Sequence, residues 1–318
     1  MHELLRLLWG TVLLRPYVFA FLAAYIVAGW RHIGWKRTLA YIPAGYALAW
    51  ASEFASIHCG FPYGDYFYIQ STAGRELWVF GVPFMDSLSY VFLSYCSYSL
   101  AAFLMSPVAF RSGNLITLET PRIRRSWQTL ILGAFLFVLL DIVIDPVALL
   151  GEQWFLGKIY GYHHEGFYFG IPMSNFAGWL LVGVVLVATL QVLDAIPSLD
   201  SNPNPLPARL AKHQAQGSPA SPAMTRPAVS SWLRALGPVL YFSVLSFNTA
   251  VTFYIGSMLL GLVDLLLFAV LLVPMVFFTI YKNSNVPSED AYLHLSRHSS
   301  IAGNRMSTLD PDFPRHFD

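Results

Sequence analysis

Long apolar runs alternate with shorter polar segments along this chain of 318 residues. A helix that crosses a membrane needs roughly 20 predominantly apolar residues. Seven runs meet or approach that length, and they fall near residues 16–31, 38–57, 82–105, 127–150, 171–193, 236–254 and 258–281. A very short turn at Gly256 joins the last two runs, which is typical of an antiparallel helix pair. The pattern predicts an all-α integral membrane protein with about seven transmembrane helices.

Composition supports a membrane location and divides the chain into segments. Only 12% of the residues are charged and the mean hydropathy is +0.53, whereas soluble proteins average about 25% charged residues. The Pro- and Ser-rich stretch after the fifth run cannot bury a core and predicts a disordered linker. The predicted segments are an N-terminal amphipathic segment (1–15), a five-helix membrane part (16–193), the disordered cytoplasmic linker (194–232), a two-helix membrane hairpin (233–281) and a polar C-terminal tail (282–318).

The distribution of Lys and Arg predicts the orientation in the membrane, because cytoplasmic loops carry an excess of these residues. With seven crossings, the loops 31–37, 106–126 and 194–235 share one side with the C-terminal tail, and this side holds fifteen Lys and Arg residues. The opposite side holds four. We therefore predict a multi-pass protein of the cell (inner, cytoplasmic) membrane with its N-terminus outside and its C-terminus in the cytoplasm. The loops 58–81 and 151–170 then face outward.

The two outward loops resemble each other in sequence. In the first, Glu53 precedes a loop rich in glycine and aromatic residues, which returns to apolar sequence through Gly-Val-Pro at 81–83. In the second, Asp145 precedes a similar loop that returns through Gly-Ile-Pro at 170–172. This pattern predicts a parallel internal repeat of helices 2–3 and 4–5, and repeats in membrane proteins commonly enclose a site between them. Prolines that simply start two helices would give the same Gly-x-Pro pattern.

Carboxylates inside the apolar runs indicate a functional site, because charged groups in a bilayer are costly and are usually kept for function. At a rise of about 1.5 Å per residue, all of them fall in the outer half of the membrane. They are Glu53, Asp86, Asp141, Asp145 and Asp264, and the amides Asn175 and Asn248 also lie within apolar runs. Several acids in a low dielectric cannot all ionise. A protonated one can then act as a general acid and an ionised neighbour as a base.

Aromatic residues are dense in the two outward loops. Their faces can line a slot for a long apolar substrate or stabilise a carbocation. Tyr and Trp also collect at membrane interfaces, so an anchoring belt is the alternative interpretation.

Other motifs in the sequence exclude several classes of site. The nine histidines include no H-x-x-x-H pair on an apolar run, which predicts no metal site. We predict no cofactor, because no phosphate-binding or dinucleotide-binding fingerprint occurs. No basic patch interleaved with aromatic residues indicates a nucleic-acid partner.

Several motifs follow one another in a specific order between residues 38 and 281. They are Glu53, Phe61-Pro62-Tyr63-Gly64-Asp65-Tyr66, Gly81-Val82-Pro83, Asp141, Asp145-Pro146-Val147-Ala148, Trp154, Tyr168-Phe169-Gly170-Ile171-Pro172 and Asn175-Phe176-x-Gly178-Trp179. In this order and spacing the chain resembles the carotenoid biosynthesis membrane family that includes the CruF-type carotenoid 1,2-hydratases, among them the bisanhydrobacterioruberin hydratases of haloarchaea.

The resemblance implies addition of water to the terminal 1,2 (1′,2′) double bond of an acyclic carotenoid, which gives a tertiary alcohol by acid catalysis. The expected partners are the lipid bilayer and a long acyclic carotenoid of the lycopene, γ-carotene or bisanhydrobacterioruberin type. We hypothesise that Asp141 and Asp145 belong to the proton-donating pair. Glu53 and Asp86 would be the partner acid, base or water-positioning groups, and Asn175 would orient the water or an acid. The expected substrate-binding residues are Tyr63, Tyr66, Tyr68, Trp154, Tyr168, Phe169 and Trp179.

Two other functions use the same features. A proton-coupled transporter also places acids in helices, but it predicts polar groups across both leaflets, and we expect the inner half of these runs to be nearly free of polar groups. An oxygenase would hydroxylate the same end group of the carotenoid. Isotope labelling separates the two enzymes, because a hydratase takes the new oxygen from water and an oxygenase takes it from O₂.

Overall fold

A computed structural model describes residues 2–106, 108–111, 114–117, 119–153, 157–199 and 233–284. These residues form nine α-helices: α1 (His2–Leu14), α2 (Pro16–His32), α3 (Trp35–Cys59), α4 (Phe84–Met105), α5 (Pro121–Arg124), α6 (Trp127–Leu149), α7 (Met173–Ala195), α8 (Leu236–Tyr254) and α9 (Met258–Ser284). Six short strands lie in the loops: β1 (Tyr66–Tyr68), β2 (Trp78–Val79), β3 (Val82–Pro83), β4 (Val108–Arg111), β5 (Asn114–Thr117) and β6 (Tyr160–Tyr162). Hydropathy did not indicate these strands. Most of the predicted linker and tail lies outside the described residues.

Five of the described helices are long and apolar enough to cross a membrane, namely α4, α6, α7, α8 and α9. A sixth candidate is the pair α1 and α2, which would be one span with an 89° bend. Helix α3 is not among these candidates, and it carries Lys36, Arg37 and Glu53 within its 25 residues. The fold is therefore a mostly helical multi-pass membrane protein, and the count of seven crossings stays a prediction.

Helix α4 lies at the centre of the bundle. It contacts α2, α3, α6, α7 and α8, and these five surround it in the order α8, α2, α3, α7, α6. The α4 span is 83% buried and has a mean hydropathy of 1.4, whereas the α9 span is 17% buried and has a mean hydropathy of 2.7. The helix richest in hydroxyl groups is thus shielded by protein, and the most apolar helix has an exposed surface suited to lipid.

Local sequence signals explain where several helices begin and end. The Ser126 hydroxyl accepts a hydrogen bond from the Thr129 amide at 3.2 Å and caps α6, as expected for a serine before a helix. Gly60 ends α3 in the left-handed region at φ 70°, which glycine adopts without strain. Pro83 and Pro172 occupy the N-cap positions of α4 and α7.

A buried ion pair holds the corner between α1 and α2. The guanidinium of Arg15 donates two hydrogen bonds to Glu76, at 3.0 and 3.1 Å, and both side chains are fully buried. The Thr11 hydroxyl accepts a further bond from the Leu77 amide at 2.8 Å. The first outward loop is therefore fixed to the start of α2. Tyr17, the second residue of α2, faces the cavity described below.

Candidate functional site

The two outward loops pair with each other through strands β1 and β6. The strands are antiparallel, with Tyr66 opposite Tyr162 and Tyr68 opposite Tyr160. Side chains alternate between the faces of a strand, so residues two positions apart share a face. This ladder therefore aligns four tyrosines, and it brings together residues from the two halves of the predicted repeat.

Both loops return to their helices with the same backbone geometry. Phe80 and Gly81 have positive φ angles of 49° and 84° before α4, and Phe169 and Gly170 have 48° and 86° before α7. Positive φ is uncommon for a residue other than glycine. The repetition of a Phe-Gly pair in this conformation supports the predicted repeat, which in the sequence rested on an acid, a loop rich in glycine and aromatic residues, and Gly-x-Pro in each copy.

A cavity of about 120 Å³ lies where the outward loops meet the helix ends. Its lining from the loops and the nearby helix ends includes Glu53, Tyr63, Tyr66, Tyr68, Asp86, Asp145, Tyr160, Tyr162, Asn175 and Trp179. Its lining from α2, α8 and the middle of α4 includes Tyr17, Val18, Phe21, Phe92, Leu93, Val244, Phe247 and Asn248. One side is thus polar and aromatic, and the other side is predominantly apolar.

Glu53 and Asp86 share one hydroxyl group on the polar side of the cavity. The Tyr68 hydroxyl lies 2.6 Å from Asp86 Oδ2 and 3.2 Å from Glu53 Oε1. Ser87, next to Asp86 on α4, donates a hydrogen bond to the other Glu53 oxygen. Glu53 is buried on α3, so this group joins two helices to strand β1.

Asp145 on α6 accepts hydrogen bonds from three side chains. Tyr160 donates to Oδ1, and Tyr162 donates to Oδ2 at 2.7 Å. The Asn175 amide donates to Asp145 Oδ2 at 3.1 Å and to Asp141 Oδ2 at 2.8 Å. Asp141 is fully buried behind this group, does not line the cavity, and its Oδ1 has no hydrogen-bond partner among the described residues.

The tyrosines of the β1–β6 ladder are hydrogen-bond donors at neutral pH. Burial, together with nearby carboxylates, raises the pKa of Tyr66, Tyr68, Tyr160 and Tyr162 above the ordinary value of 10. Each hydroxyl therefore keeps its proton. These phenols surround the carboxylates with protons that are held in place by the strand pairing.

Stacked rings close the cavity on the side of α7. Trp179 stacks on Tyr90 with ring centroids 4.8 Å apart and an interplanar angle of 20°. Tyr63 contacts the same indole at 6.2 Å. Gly178 lets the loop approach α7 closely, since a Cβ atom there would lie 2.6 Å from the Pro62 carbonyl oxygen. The aromatic face of Trp179 is thereby fixed beside the carboxylates.

The predicted site residues do not all reach this cavity. Glu53, Asp86, Asp145, Asn175, Tyr63, Tyr66, Tyr68 and Trp179 line it. Tyr168 and Phe169 do not, and the Tyr168 hydroxyl instead donates to the Ile142 carbonyl at 3.1 Å. Trp154 lies outside the described residues. Asp264 is buried on α9, where it accepts a hydrogen bond from Thr252 at 2.8 Å away from the cavity.

Sequence reasoning missed several residues of the site. Tyr160 and Tyr162 contact Asp145 directly, and their Tyr-x-Tyr spacing matches that of Tyr66 and Tyr68. The repeated Tyr-x-Tyr spacing could therefore have predicted the pairing of these two strands. Tyr17, Phe21 and Phe247 gave no such signal, because they come from helices far apart in the sequence.

A second polar cluster lies at the opposite end of the bundle. His32 Nε2 lies 2.8 Å from Glu119 Oε1, and Arg124 lies 3.4 Å from the same carboxylate. Arg124 also donates to Asp194 at 3.1 Å. Burial alone would raise the pKa of Glu119, but His32, Arg234 and Arg124 outweigh it and lower that pKa to about 2.

The expectation that the inner half of the bundle is nearly free of polar groups is wrong. The Tyr41 hydroxyl lies 2.6 Å from Ser94 Oγ, and the Tyr95 hydroxyl lies 3.1 Å from His32 Nδ1. Tyrosine and serine are spread through apolar runs, and Glu119 comes from a loop that folds onto the helix ends. The acids and amides within the apolar runs therefore indicated neither the buried hydroxyl groups nor the contribution of Glu119.

Within the part of the chain that the structure describes, no three His, Cys, Asp or Glu side chains are grouped to hold a metal ion. The family model of carotenoid biosynthesis proteins matches residues 10–213. A search of curated proteins and a search of solved structures each found no match.

Proposed function

The chain belongs to the carotenoid biosynthesis protein family, and we propose that it adds water to the terminal 1,2 double bond of an acyclic carotenoid end group. The observation that carries this proposal is the convergence of Glu53, Asp86 and Asp145 on one cavity that is predominantly apolar on its opposite side. Hydration of an unactivated alkene needs an acid, a base and a site that holds a carbocation. All three can be supplied by carboxylates and aromatic faces.

The shared hydroxyl of Tyr68 supports Glu53 as the proton donor. A tyrosine hydroxyl has one proton, and the shorter bond, at 2.6 Å, assigns it to Asp86. The contact to Glu53 at 3.2 Å is then satisfied if the glutamic acid carries a proton and donates to the Tyr68 oxygen. Glu53 would thus hold an acidic proton at the wall of the cavity, next to an ionised Asp86.

The donors around Asp145 support a role as the base. An ionised carboxylate in a dry site needs donors, and Asp145 receives them from Tyr160, Tyr162 and Asn175. Its charge would stabilise the carbocation and then accept a proton from the attacking water. This reverses the hypothesis from the sequence, in which Asp141 and Asp145 donate. Asn175, which bonds both carboxylates, would position Asp145, and Asp141 lies behind it away from the cavity and would not touch the substrate.

The proposed reaction balances without a redox partner. The π electrons of the C1=C2 bond take the proton of Glu53, which forms a C2–H bond and leaves a tertiary cation at C1. Water forms the C1–O bond and releases one proton to Asp145. That proton returns from Asp145 to Glu53 across the cavity that both carboxylates line, so the net change is one water added per end group.

Expression in a host that accumulates lycopene tests the proposal. We expect products heavier than lycopene by one or two waters, with oxygen derived from labelled water. Asp145→Asn and Glu53→Gln are each expected to lower product formation by about 10²- to 10⁴-fold while the protein stays in the membrane. Asp65→Asn is the matched control, because this loop carboxylate is exposed and lies 3.9 Å from His163 Nε2, outside the cavity.

The same experiment separates the two rival functions. Label from O₂ in the product would establish an oxygenase and refute the hydratase. A proton-coupled transporter gains support from the polar cluster at the opposite end of the bundle, and it predicts no oxygenated product at all. Full activity of both carboxylate variants would disprove the assignment of the site.

We also infer that α2 and α3 cross the membrane, which gives seven crossings with the N-terminus outside. Both helices belong to the ring around α4, and Glu53 on α3 is buried at the same end of the bundle as Asp145. Phe-Gly pairs with matching φ angles and the β1–β6 pairing support the parallel repeat.

A further inference from the structure

The cavity is too small to hold a carotenoid. Its volume is about 120 Å³, and an apolar cavity of about 150 Å³ holds one benzene molecule. A group of about that size corresponds to the branched end of the substrate. If the proposed function is correct, the remaining polyene must leave the cavity through a gap between helices.

Close helix packing blocks passage on the side of α6 and α7. Beside the cavity, Asn175 on α7 donates a hydrogen bond to Asp145 on α6 at 3.1 Å. Deeper along the same helix pair, a Cβ atom added at Gly183 would lie 3.3 Å from the Ala134 Cα atom. Helices this close leave no space between them for a chain of conjugated carbons. The contact of Gly178 with Pro62 closes the neighbouring side in the same way.

Aromatic side chains form the boundary between α2 and α8. Tyr17 stacks on Phe247 with ring centroids 5.3 Å apart and an interplanar angle of 21°. Phe21 meets Phe247 edge to face at 5.7 Å and 78°. All three rings line the cavity and are half-buried. Rings can rotate aside, whereas the backbones at the glycine contacts cannot, so this boundary can open where the glycine contacts stay closed.

We propose that Tyr17, Phe21 and Phe247 form a binding site for the polyene next to the reacting end group, here called the α2–α8 seam. The inference rests on the proposed function for its ligand class, a linear conjugated hydrocarbon. Phe21 follows Tyr17 by one helical turn, so the rings track along α2 away from the carboxylates. Val18, Leu93 and Val244 continue the apolar lining beside them.

The seam also explains why the apolar side of the cavity is built from aromatic rings. Flat rings stack on a flat polyene and exclude water from the carboxylates while the chain is bound. Phe247 contacts both rings on α2. We therefore assign to Phe247 the selection of substrates by the part of the polyene that follows the reacting end group.

Retention of lycopene by purified protein tests the seam without depending on hydration. The Asp145→Asn variant, isolated in mild detergent from a host that accumulates lycopene, should retain the pigment, measured by visible absorbance per mole of protein. Adding Phe247→Trp overfills the seam and should lower retention roughly 10- to 100-fold. Phe21→Trp, on the opposite helix, should act in the same direction. Phe135→Trp is the matched control, because that ring is 53% exposed on α6, and it should change retention by less than about twofold.

The outcomes separate this inference from the proposed function. Equal retention by the Phe247→Trp and Phe135→Trp proteins, or no retention by Asp145→Asn itself, would overturn the seam. Loss confined to both seam variants, with unfolding temperatures equal to that of the control, would establish it. Wild-type protein that retains lycopene through the seam and never hydrates it would refute the hydratase and leave the seam intact.

Discussion

Removal of one hydroxyl group, in Tyr68→Phe, tests the proposed arrangement of acids most directly. This hydroxyl lies 2.6 Å from Asp86 and 3.2 Å from Glu53. The shorter distance is in the range of a hydrogen bond between a hydroxyl and a charged carboxylate. Phenylalanine keeps the ring and its packing, so the change isolates the hydrogen bonds.

The expected size of the effect follows from those two contacts. A hydrogen bond to a charged group contributes about 1.5–3 kcal/mol, and each 1.4 kcal/mol is a factor of ten in rate. Tyr68→Phe should therefore lower the turnover number for lycopene hydration roughly 10- to 150-fold. The measurement is product formation by purified protein, with mass detection of the added water.

Tyr66 provides a matched control on the same strand. Its hydroxyl contacts the Tyr68 hydroxyl at 3.5 Å, at the outer limit of a hydrogen bond, and its ring also lines the cavity. Tyr66→Phe should lower turnover by about threefold or less. Equal losses in the two variants would refute the reasoning, since both remove a tyrosine hydroxyl from β1 and only Tyr68 touches the carboxylates. Retention of more than half of the activity by Tyr68→Phe would refute it as well.

Two further predictions concern stability and orientation. The pKa of Glu119 is about 2 in the folded protein against an ordinary value of 4.5, so its ionised form stabilises the fold above pH 4.5, by about 3 kcal/mol. That contribution is lost as the pH falls from 4.5 towards 2. In detergent, the thermal unfolding temperature of the wild type should fall over this pH range, and that of Glu119→Gln should change less. Cys59 is exposed at the C-terminal end of α3 and Cys96 is buried. The predicted orientation places that end of α3 outside, so a membrane-impermeant maleimide should label Cys59 in intact cells. Labelling that requires permeabilised cells would reverse the predicted orientation.

The carboxylates were identifiable from the sequence for a general reason. Glu53, Asp86 and Asp145 interrupt apolar runs, and hydropathy makes such interruptions conspicuous because charge in a bilayer is costly. The order of the motifs was equally readable, and the family match over residues 10–213 confirms the carotenoid biosynthesis family. The hydratase chemistry and the role of each acid stay predictions.

Depth along a helix was readable from the sequence, but direction around the helix was not. Asp141 and Asp145 lie one turn apart and looked equivalent, yet Asp145 lines the cavity and Asp141 lies behind Asn175. The same limit applies to Tyr168 and Phe169, which were grouped with the other loop aromatics and lie away from the cavity. Neighbouring helices decide which face is inside.

The sequence by itself determined that this chain is a helical membrane protein with acids concentrated towards one end of its helices. Hydrophobic length and the position of each carboxylate are one-dimensional quantities, so they can be read along the chain. The tertiary structure decided which groups meet. Strand pairing between β1 and β6 brought Tyr68 and Tyr160 together, and packing of α2 on α8 placed Phe247 against Tyr17. These contacts join residues far apart in sequence, and they depend on the packing of whole helices and not on any local pattern.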